Sequence, residues 1–451
     1  MYRESLLGKI DRKILNYISS LSEDREIAHE VLEVLKAHVE TLHAQKLIPQ
    51  EAGKRILKEL EVLMNNPEEL FKMDAEDIHE AIEIYLNNRL GKIAGYIPLG
   101  RSRNDHISAA LRLKTKRMLK RQIEELIKLR DILLKRGEDH LFTMMPACTH
   151  LQPAQISTFA HYLCYIEEEL AEYTKIIFEI YRVVDKSPLG GGAVAGTMVP
   201  IDRVALGKKL FDGVVWNSIR ASGSREFLSL ALSVDTSLSV FLSRIVEDMI
   251  VFSLPQFSYI ILPADHAATS SMMPQKRNAA TMEIARAWGA ESIGHLVAFL
   301  GTLRALPSGY NLDMQESNHH AYAILKNTLK AIQIFSDFFS KIEVNSERMK
   351  EDTEIYPILA TDMAERIALK RSMPYRAVHA EIAKFIGESR NSDEFYSTVK
   401  RKYGLEMNPQ ESILRPVMGS PDPKDVKKYI EQAKKLLEEH KSELFSLEGE
   451  K

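Results

Sequence analysis

Four stretches of this chain contain neither glycine nor proline: Arg101 to Arg136, Gln155 to Ser187, Ser224 to Leu254 and Tyr310 to Tyr356. These two residues are the ones that most disfavour helix interiors, so runs of this length predict long helices. In the first run, Ile107, Leu111, Met118, Leu119, Ile123, Leu126, Ile127 and Leu133 keep one apolar stripe on a 3.6-residue period. A helix of about 30 residues spans about 45 Å. A further helical pattern, Ala279 to Thr302, contains Gly289 and Gly294, which allow close helix packing. The segment Leu228 to Val251 is apolar nearly all round, which places it inside a bundle. An interior helix of one large monomer and a helix packed against copies in other chains fit that pattern equally.

The expected fold class is therefore all-α, a central long-helix bundle with smaller N- and C-terminal helical domains. Residues 1–100 form the N-terminal helical domain, with periodic apolar positions in Ala28 to Leu42 and Ala52 to Met64. Residues 101–356 form the bundle domain. Residues 357–451, punctuated by Pro374, Pro409, Pro416, Pro421 and Pro423, form the C-terminal helical domain.

Composition narrows the function classes. Lysine and arginine number 60 against 63 aspartates and glutamates, a formal charge of −3, which gives no basic footprint for nucleic acid. The most apolar segment is interrupted by Asp235, Arg244, Glu247 and Asp248, which argues against a lipid-facing span. Two cysteines cannot build a disulfide framework, and the opening MYRESLLGKIDRK lacks the apolar core of a signal peptide. A cytoplasmic location, with no membrane and no nucleic-acid partner, is expected.

Between the helical runs, polar residue types gather in four segments: Gly100 to Asp105, Thr149 to Gln152, Thr269 to Asn278 and Tyr310 to Glu316. Loops on rigid scaffolds are where sites usually sit. Arg101 and Arg103 flank Ser102 just before a helix, where guanidinium forks and helix N–H groups can hold a carboxylate or phosphate. A plain helix cap by Ser102, Asn104 or Asp105 explains the same residues. Ser270, Ser271, Lys276 and Asn278 put hydroxyls, a cation and loop amides in one place, a set suited to stabilising a developing oxyanion. His150, placed by the pattern at the mouth of a helix, can exchange a proton near neutral pH, although a structural role is the commoner one for a lone histidine. Glu283 is a possible histidine partner, or an ordinary exposed helix glutamate. Gly190 to Gly192 lack the residues of a phosphate loop and read as tight backbone turning. His319 and His320 come without HExxH or CxxC spacing, so no metal is expected.

Together these segments resemble the fumarase/aspartase superfamily, whose signature loop reads GSSxMPxKxN and stands here as Thr269-Ser270-Ser271-Met272-Met273-Pro274-Gln275-Lys276-Arg277-Asn278. GRSRND at 100–105, THLQPAQ at 149–155, PLGGGAVAG at 188–196 and YNLDMQE at 310–316 match the family's order and spacing, and the likeness runs from EDIH at 76–79 to TDMAERIAL and MPYRAVH near 361–379. SRND points to the branch that splits argininosuccinate into arginine and fumarate by reversible β-elimination, without metal or organic cofactor. Such a reaction removes a weakly acidic proton next to a carboxylate, so the site must stabilise a doubly negative group. The resemblance implies Ser270 as general base, Lys276 and Asn278 as carboxylate holders, and His150, oriented by Glu283, on the leaving-nitrogen side. It implies substrate binding by Ser102, Arg103, Asn104, Thr149, Tyr310 and Gln315, in a homotetramer whose sites are assembled from several subunits.

The chain departs from the pattern at Thr269 in place of glycine, at Pro98 and Leu99, at Ala279, at Glu26, and at Asn318 where the family has a lysine. A related lyase acting on another succinyl-nitrogen adduct and a non-catalytic, crystallin-like structural protein are the rival expectations.

Overall fold

A computed structural model describes residues 8–449. The first seven residues of the opening segment, on which the expectation of no leader partly rests, lie outside the described residues. The N-terminal unit contains α1 (Arg12–Ile18), α2 (Ala28–Ala44), α3 (Gln50–Asn65) and α4 (Ile78–Leu90). The 37-residue α5 (Arg103–Asp139) follows, started by a capping box: Ser102 Oγ accepts from Asn104 N–H, and Asp105 accepts from Ser102 N–H. The bundle continues through α6 (Phe159–Val184), two short helices α7 (Arg203–Gly207) and α8 (Ser218–Gly223), then α9 (Glu226–Ser253), α10 (Ala280–Leu303), the single turn α11 (Asp313–Glu316) and α12 (Asn318–Lys341). The chain closes with α13 (Ser346–Ile355), α14 (Ala360–Arg371), α15 (Tyr375–Glu388), α16 (Ser392–Tyr403), α17 (Pro409–Ile413) and α18 (Pro423–Gly449).

Helix α5 is the axis of the packing, touching α6, α12, α18 and α2, while α9 lies against α10, α12 and α6. Leu119, Ile123, Leu126, Ile166, Leu170, Leu238, Ile245, Ile332 and Phe335 fill one continuous core, into which α18 returns Val426, Ile430 and Leu437. A separate cluster joins Met363, Ile367, Val378 and Phe395 of the C-terminal helices to Met144 and Ile156. Gly289 serves the contact of α10 with α9: a Cβ there would sit 2.8 Å from Ser243 Cβ and 3.1 Å from Ser239 O. The same addition at Gly294 meets nothing within 4 Å.

Two expectations about helices change. The Gln155 to Ser187 run does not begin as helix: β1 (Met144–Thr149) and β2 (Gln152–Thr158) form an antiparallel hairpin, and α6 starts only after Thr158, whose hydroxyl caps it. Gln155 to Thr158 carry no breaker of their own and are held as strand by pairing with Met144 to Ala147. The Tyr310 to Tyr356 run is divided into α11, α12 and α13: Ser317 separates the first two, and β8 (Glu343–Val344), paired with β5 (Ile260–Ile261), separates the last two, while β3 (Lys186–Ser187) pairs with β4 (Gly213–Val214). Helix α9 is long and apolar enough, by composition alone, to cross a membrane, but its Asp235 accepts a 2.7 Å bond from Gln122 of α5 inside the bundle. Leu230, Ser233, Ser237, Arg244 and Glu247 form an exposed stripe along it, so it is not enclosed on all sides within one chain.

Candidate active site

The segments with chemistry fall at three places in the chain. The first is a small cleft, with a cavity volume of about 30 Å³, between the N-terminal unit, the first turn of α5 and the α11 turn. Arg103, Tyr310 and Gln315, expected from the sequence, line it together with Asp24, Asp77, His79 and Asn318. Arg103 Nη1 bonds Glu76 at 2.9 Å and Asp77 at 3.0 Å, while the other Asp77 oxygen caps α4 by accepting from Glu80 N–H. Gln315 Nε2 donates to Ile18 O at 3.1 Å. Ser102 and Asn104 stand beside Arg103: Ser102 is engaged as the helix cap, and Asn104 Nδ2 donates to Ala193 O at 3.3 Å.

Burial sets the charges here. Asp24, held by Ile78 N–H and Ser20 Oγ, is pushed up to about 7 because burial disfavours its carboxylate. His79 is pushed down to about 4 by burial, which keeps it neutral at pH 7. The Tyr310 hydroxyl is raised by burial, against the lowering effect of Arg225 and Arg103. Asn318 is buried in the first turn of α12, and its Oδ1 has no hydrogen-bond partner among the described residues. Behind the cleft, Gly190 and Gly192 have φ of 75° and 60°, and a Cβ on Gly192 would collide with the Gly196 carbonyl. The triple glycine makes a tight turn whose Gly192 N–H donates to Asp105 at 3.0 Å.

The second place is the tip of the β1–β2 hairpin. Thr149 pairs with Gln152, leaving His150 and Leu151 as a two-residue loop with φ of 53° and 60°. His150 therefore does not stand at a helix mouth. It projects, exposed, from a left-handed hairpin turn nine residues ahead of the first residue of α6.

The third is the serine loop, strung between β6 (Ala268–Thr269) and β7 (Arg277–Asn278), which pair antiparallel. Ser270 Oγ accepts from Met272 N–H at 3.2 Å and Met273 N–H at 3.0 Å. Two amide donors aimed at one hydroxyl oxygen favour its anionic form. Lys276 is exposed and Asn278 half-buried. Thr269, extended in β6, occupies the glycine position without needing a left-handed angle. Glu283 is exposed on the first turn of α10, and no hydrogen bond joins it to His150 among the described residues.

Sequence reasoning missed Asp24, Asp77 and His79 as cleft residues. Asp77 and His79 stand in the EDIH segment, where Asp77 three residues before Glu80 carries only a capping signal. Asp24 has no local signal, since the cleft exists only once α1, α4 and α5 meet.

Fold and loops define a helical-bundle lyase. A lyase family model matches residues 7–294, and the chain belongs to that family, on the fumarase/aspartase fold. It is 53% identical over 447 residues to argininosuccinate lyase of Pyrococcus furiosus, covering 99% of this chain and 97% of that one. It is 39% identical to argininosuccinate lyase of Pyrobaculum islandicum, covering 95% and 96%. Within the family the chain groups with the argininosuccinate lyases. Among solved structures it is similar to an EDDS lyase in complex with formate, at a TM-score of 0.85 and 26% identity over 94% of this chain and 89% of that one. A fumarate lyase:delta crystallin from Brucella melitensis shares the fold, with a TM-score of 0.73 at 17% identity over 91% and 96%.

Proposed function

We propose that this chain is an argininosuccinate lyase, cleaving argininosuccinate to arginine and fumarate by reversible β-elimination with no metal or organic cofactor. The observation that carries the reading is full-length identity of 53% to a relative of that name, in a chain whose loop presents Ser270 with two amide donors on its oxygen. In the reaction Ser270, as the alkoxide, takes the proton from the carbon beside a carboxylate. The electron pair moves into that carboxylate, where Lys276, Asn278 and loop amides hold the added charge. The carbon–nitrogen bond then breaks, and the departing nitrogen gains a proton from the His150 side. A serine is a weak base in water, so closure of the exposed loop and exclusion of solvent are part of the mechanism. Arg103, Tyr310 and Gln315, flanked by Ser102 and Asn104, receive the substrate's anionic end, and Thr149 a second carboxylate.

The working unit is a homotetramer with sites shared between subunits, in a reducing cytoplasm that leaves Cys148 and Cys164 as thiols. Support comes from the cleft, whose lining includes neither Ser270 nor His150, and from α10, whose Ile284, Ile293, Val297 and Leu300 are exposed. His150 and Glu283 meet, in this reading, across subunits.

The test follows fumarate absorbance with argininosuccinate, adenylosuccinate, aspartate and malate. Turnover of argininosuccinate is expected, and a Ser270→Ala variant falls by about 10²- to 10⁴-fold, the usual worth of a positioned general base. Preference for a different adduct sinks the substrate assignment. That rival has one observation of its own, the Asn318 Oδ1 without a partner among the described residues, in the cleft where the family has a cation. The crystallin-like reading leaves the retained Ser270, Lys276, Asn278 and His150 without a purpose, and it predicts no fumarate from any substrate.

A further inference from the structure

At the root of the serine loop, His266 is tied on both ring nitrogens. It is 3% exposed and ends a short turn just ahead of β6. Its Nδ1 lies 2.8 Å from Thr281 Oγ1, in the first turn of α10 just beyond β7, and its Nε2 lies 2.8 Å from Asp337 Oδ2 on α12. Lys341, one turn further along α12, bonds Asp265 at 2.5 Å and Asp337 at 2.6 Å. The ring also packs edge-on against Phe338, centroids 5.4 Å apart. Both stems of the loop are thus fastened to one point on α12. Apart from this, the stems are joined by the two residue pairs of the β6–β7 ladder, and so short a ladder is not stable alone.

Charge fixes where the protons are. The Asp337 carboxylate is held below its ordinary range, first by Lys341 and next by His266, so it accepts and Nε2–H donates. With Nε2–H committed to Asp337, Nδ1 is left to pair with the Thr281 hydroxyl, whose oxygen also lies 3.5 Å from the His266 carbonyl. Asp265, His266 and Asp337 also gather three ligand-type atoms within 4.8 Å of one another. The Lys341 ammonium already bridges the two carboxylates, which favours a protein clamp over a cation site.

We infer that His266, Thr281 and Asp337 form a positioning clamp that holds both stems of the serine loop in register, so that Ser270 and Lys276 swing from a fixed base when the loop closes. The inference rests on the reading of that loop as catalytic. None of the three touches the reacting atoms. Their effect is on the geometry of closure, and so on kcat more than on KM.

Thr281→Val removes the bridging hydroxyl at nearly constant volume, Thr281→Ser restores it, and Asp337→Asn attacks the clamp from its other end. The measurements, on the full chain, are amide hydrogen exchange across Ser270 to Lys276, steady-state kinetics of fumarate release, and the thermal midpoint. In Thr281→Val, exchange is expected to speed up and kcat to fall by about fivefold each, the factor set by one hydrogen bond of ordinary net worth. KM should stay within about twofold, as for a loss confined to the transition state. Asp337→Asn should follow the same pattern and Thr281→Ser should regain both losses, with midpoints unchanged. Exchange and kcat unaltered in Thr281→Val, or no recovery in Thr281→Ser, overturns the clamp. If the wild-type chain makes no fumarate from argininosuccinate while exchange still responds, the substrate assignment fails and the clamp stands.

Discussion

Arg103 reaches back from the first turn of α5 to place its guanidinium 3.0 Å from the Asp77 carboxylate that caps α4. The cation of the cleft is therefore held in one orientation by two acidic groups, Asp77 and Glu76, before substrate arrives. A guanidinium presents its donors in a rigid planar fork that matches a carboxylate, and the two acidic groups fix the plane of that fork. Lysine supplies the charge without the planar fork. Arg103→Lys is expected to lower kcat/KM for fumarate release by roughly tenfold to a hundredfold, the worth of charged hydrogen bonds lost from a bidentate contact. Equal kinetics in the two proteins would remove Arg103 from the binding site.

A second prediction concerns what holds the last helix to the bundle. Arg130 of α5 and Glu167 of α6 make a 2.8 Å ion pair with both side chains fully buried. Tyr429 of α18 donates to the other Glu167 oxygen, and His440 of α18 lies 2.8 Å from Arg130 Nη1. Glu167→Gln leaves a buried guanidinium without its counter-charge, which costs about 3–5 kcal/mol. Denaturant unfolding should show that loss. A variant within about 0.5 kcal/mol of wild type, the range of an ordinary surface change, would mean that water reaches the pair.

The long helices were legible because their cause is local: glycine and proline are absent over runs that also carry a 3.6-residue stripe. The hairpin was not, because Gln155 to Thr158 have no breaker of their own and become strand through pairing with Met144 to Ala147. The site divides the same way. Ser270, Lys276 and Asn278 stand out as polar types crowded into one loop, whereas Asp24 becomes a cleft residue only when distant segments pack around it. His266 reads as an ordinary loop residue until Thr281 and Asp337, at sequence separations of 15 and 71, close on its two nitrogens.

Asp235 gives a prediction with a definite pH window. Burial raises its carboxyl to about 8, partly offset by the bond from Gln122. Unfolded, an aspartate titrates near 3.9. Between these values the folded state binds the extra proton, so this group's contribution is full below the lower value and is lost as pH rises toward about 8. Asp235→Asn keeps an oxygen for Gln122 but has no proton to lose. Relative to wild type the variant should be most stable near pH 8, and its advantage should shrink steadily on acidification to about pH 4. Histidines pushed down by burial, such as His38 at about 4, favour folding above their unfolded value and lose that stability on acidification. They titrate in both proteins and cancel in the difference. Urea midpoints of the pair across this range decide it, and a pH-independent difference would place Asp235 in a wetter environment.

The last prediction asks whether one chain holds a complete site. Helix α10 leaves Ile284, Ile293 and Val297 exposed, Val297 at 65%, while its Gly294 and Gly301 have open space where a side chain would go. An apolar face of this kind marks an association surface, and it starts at the serine loop. If association joins the Ser270 loop of one subunit to His150 of another, two inactive variants should rescue each other. Ser270→Ala and His150→Asn are each expected to release fumarate at a small fraction of the wild-type rate. After unfolding and refolding as an equal mixture, some sites receive an intact Ser270 from one parent and an intact His150 from the other. Random assembly of a closed oligomer makes that fraction roughly a quarter, and activity should return to about that level. Val297→Glu on either parent, by opposing association, should abolish the recovery and shift the protein to smaller species in light scattering. Mixed refolding without recovery, from variants that each refold to the wild-type oligomer, would show that both groups act within a single chain.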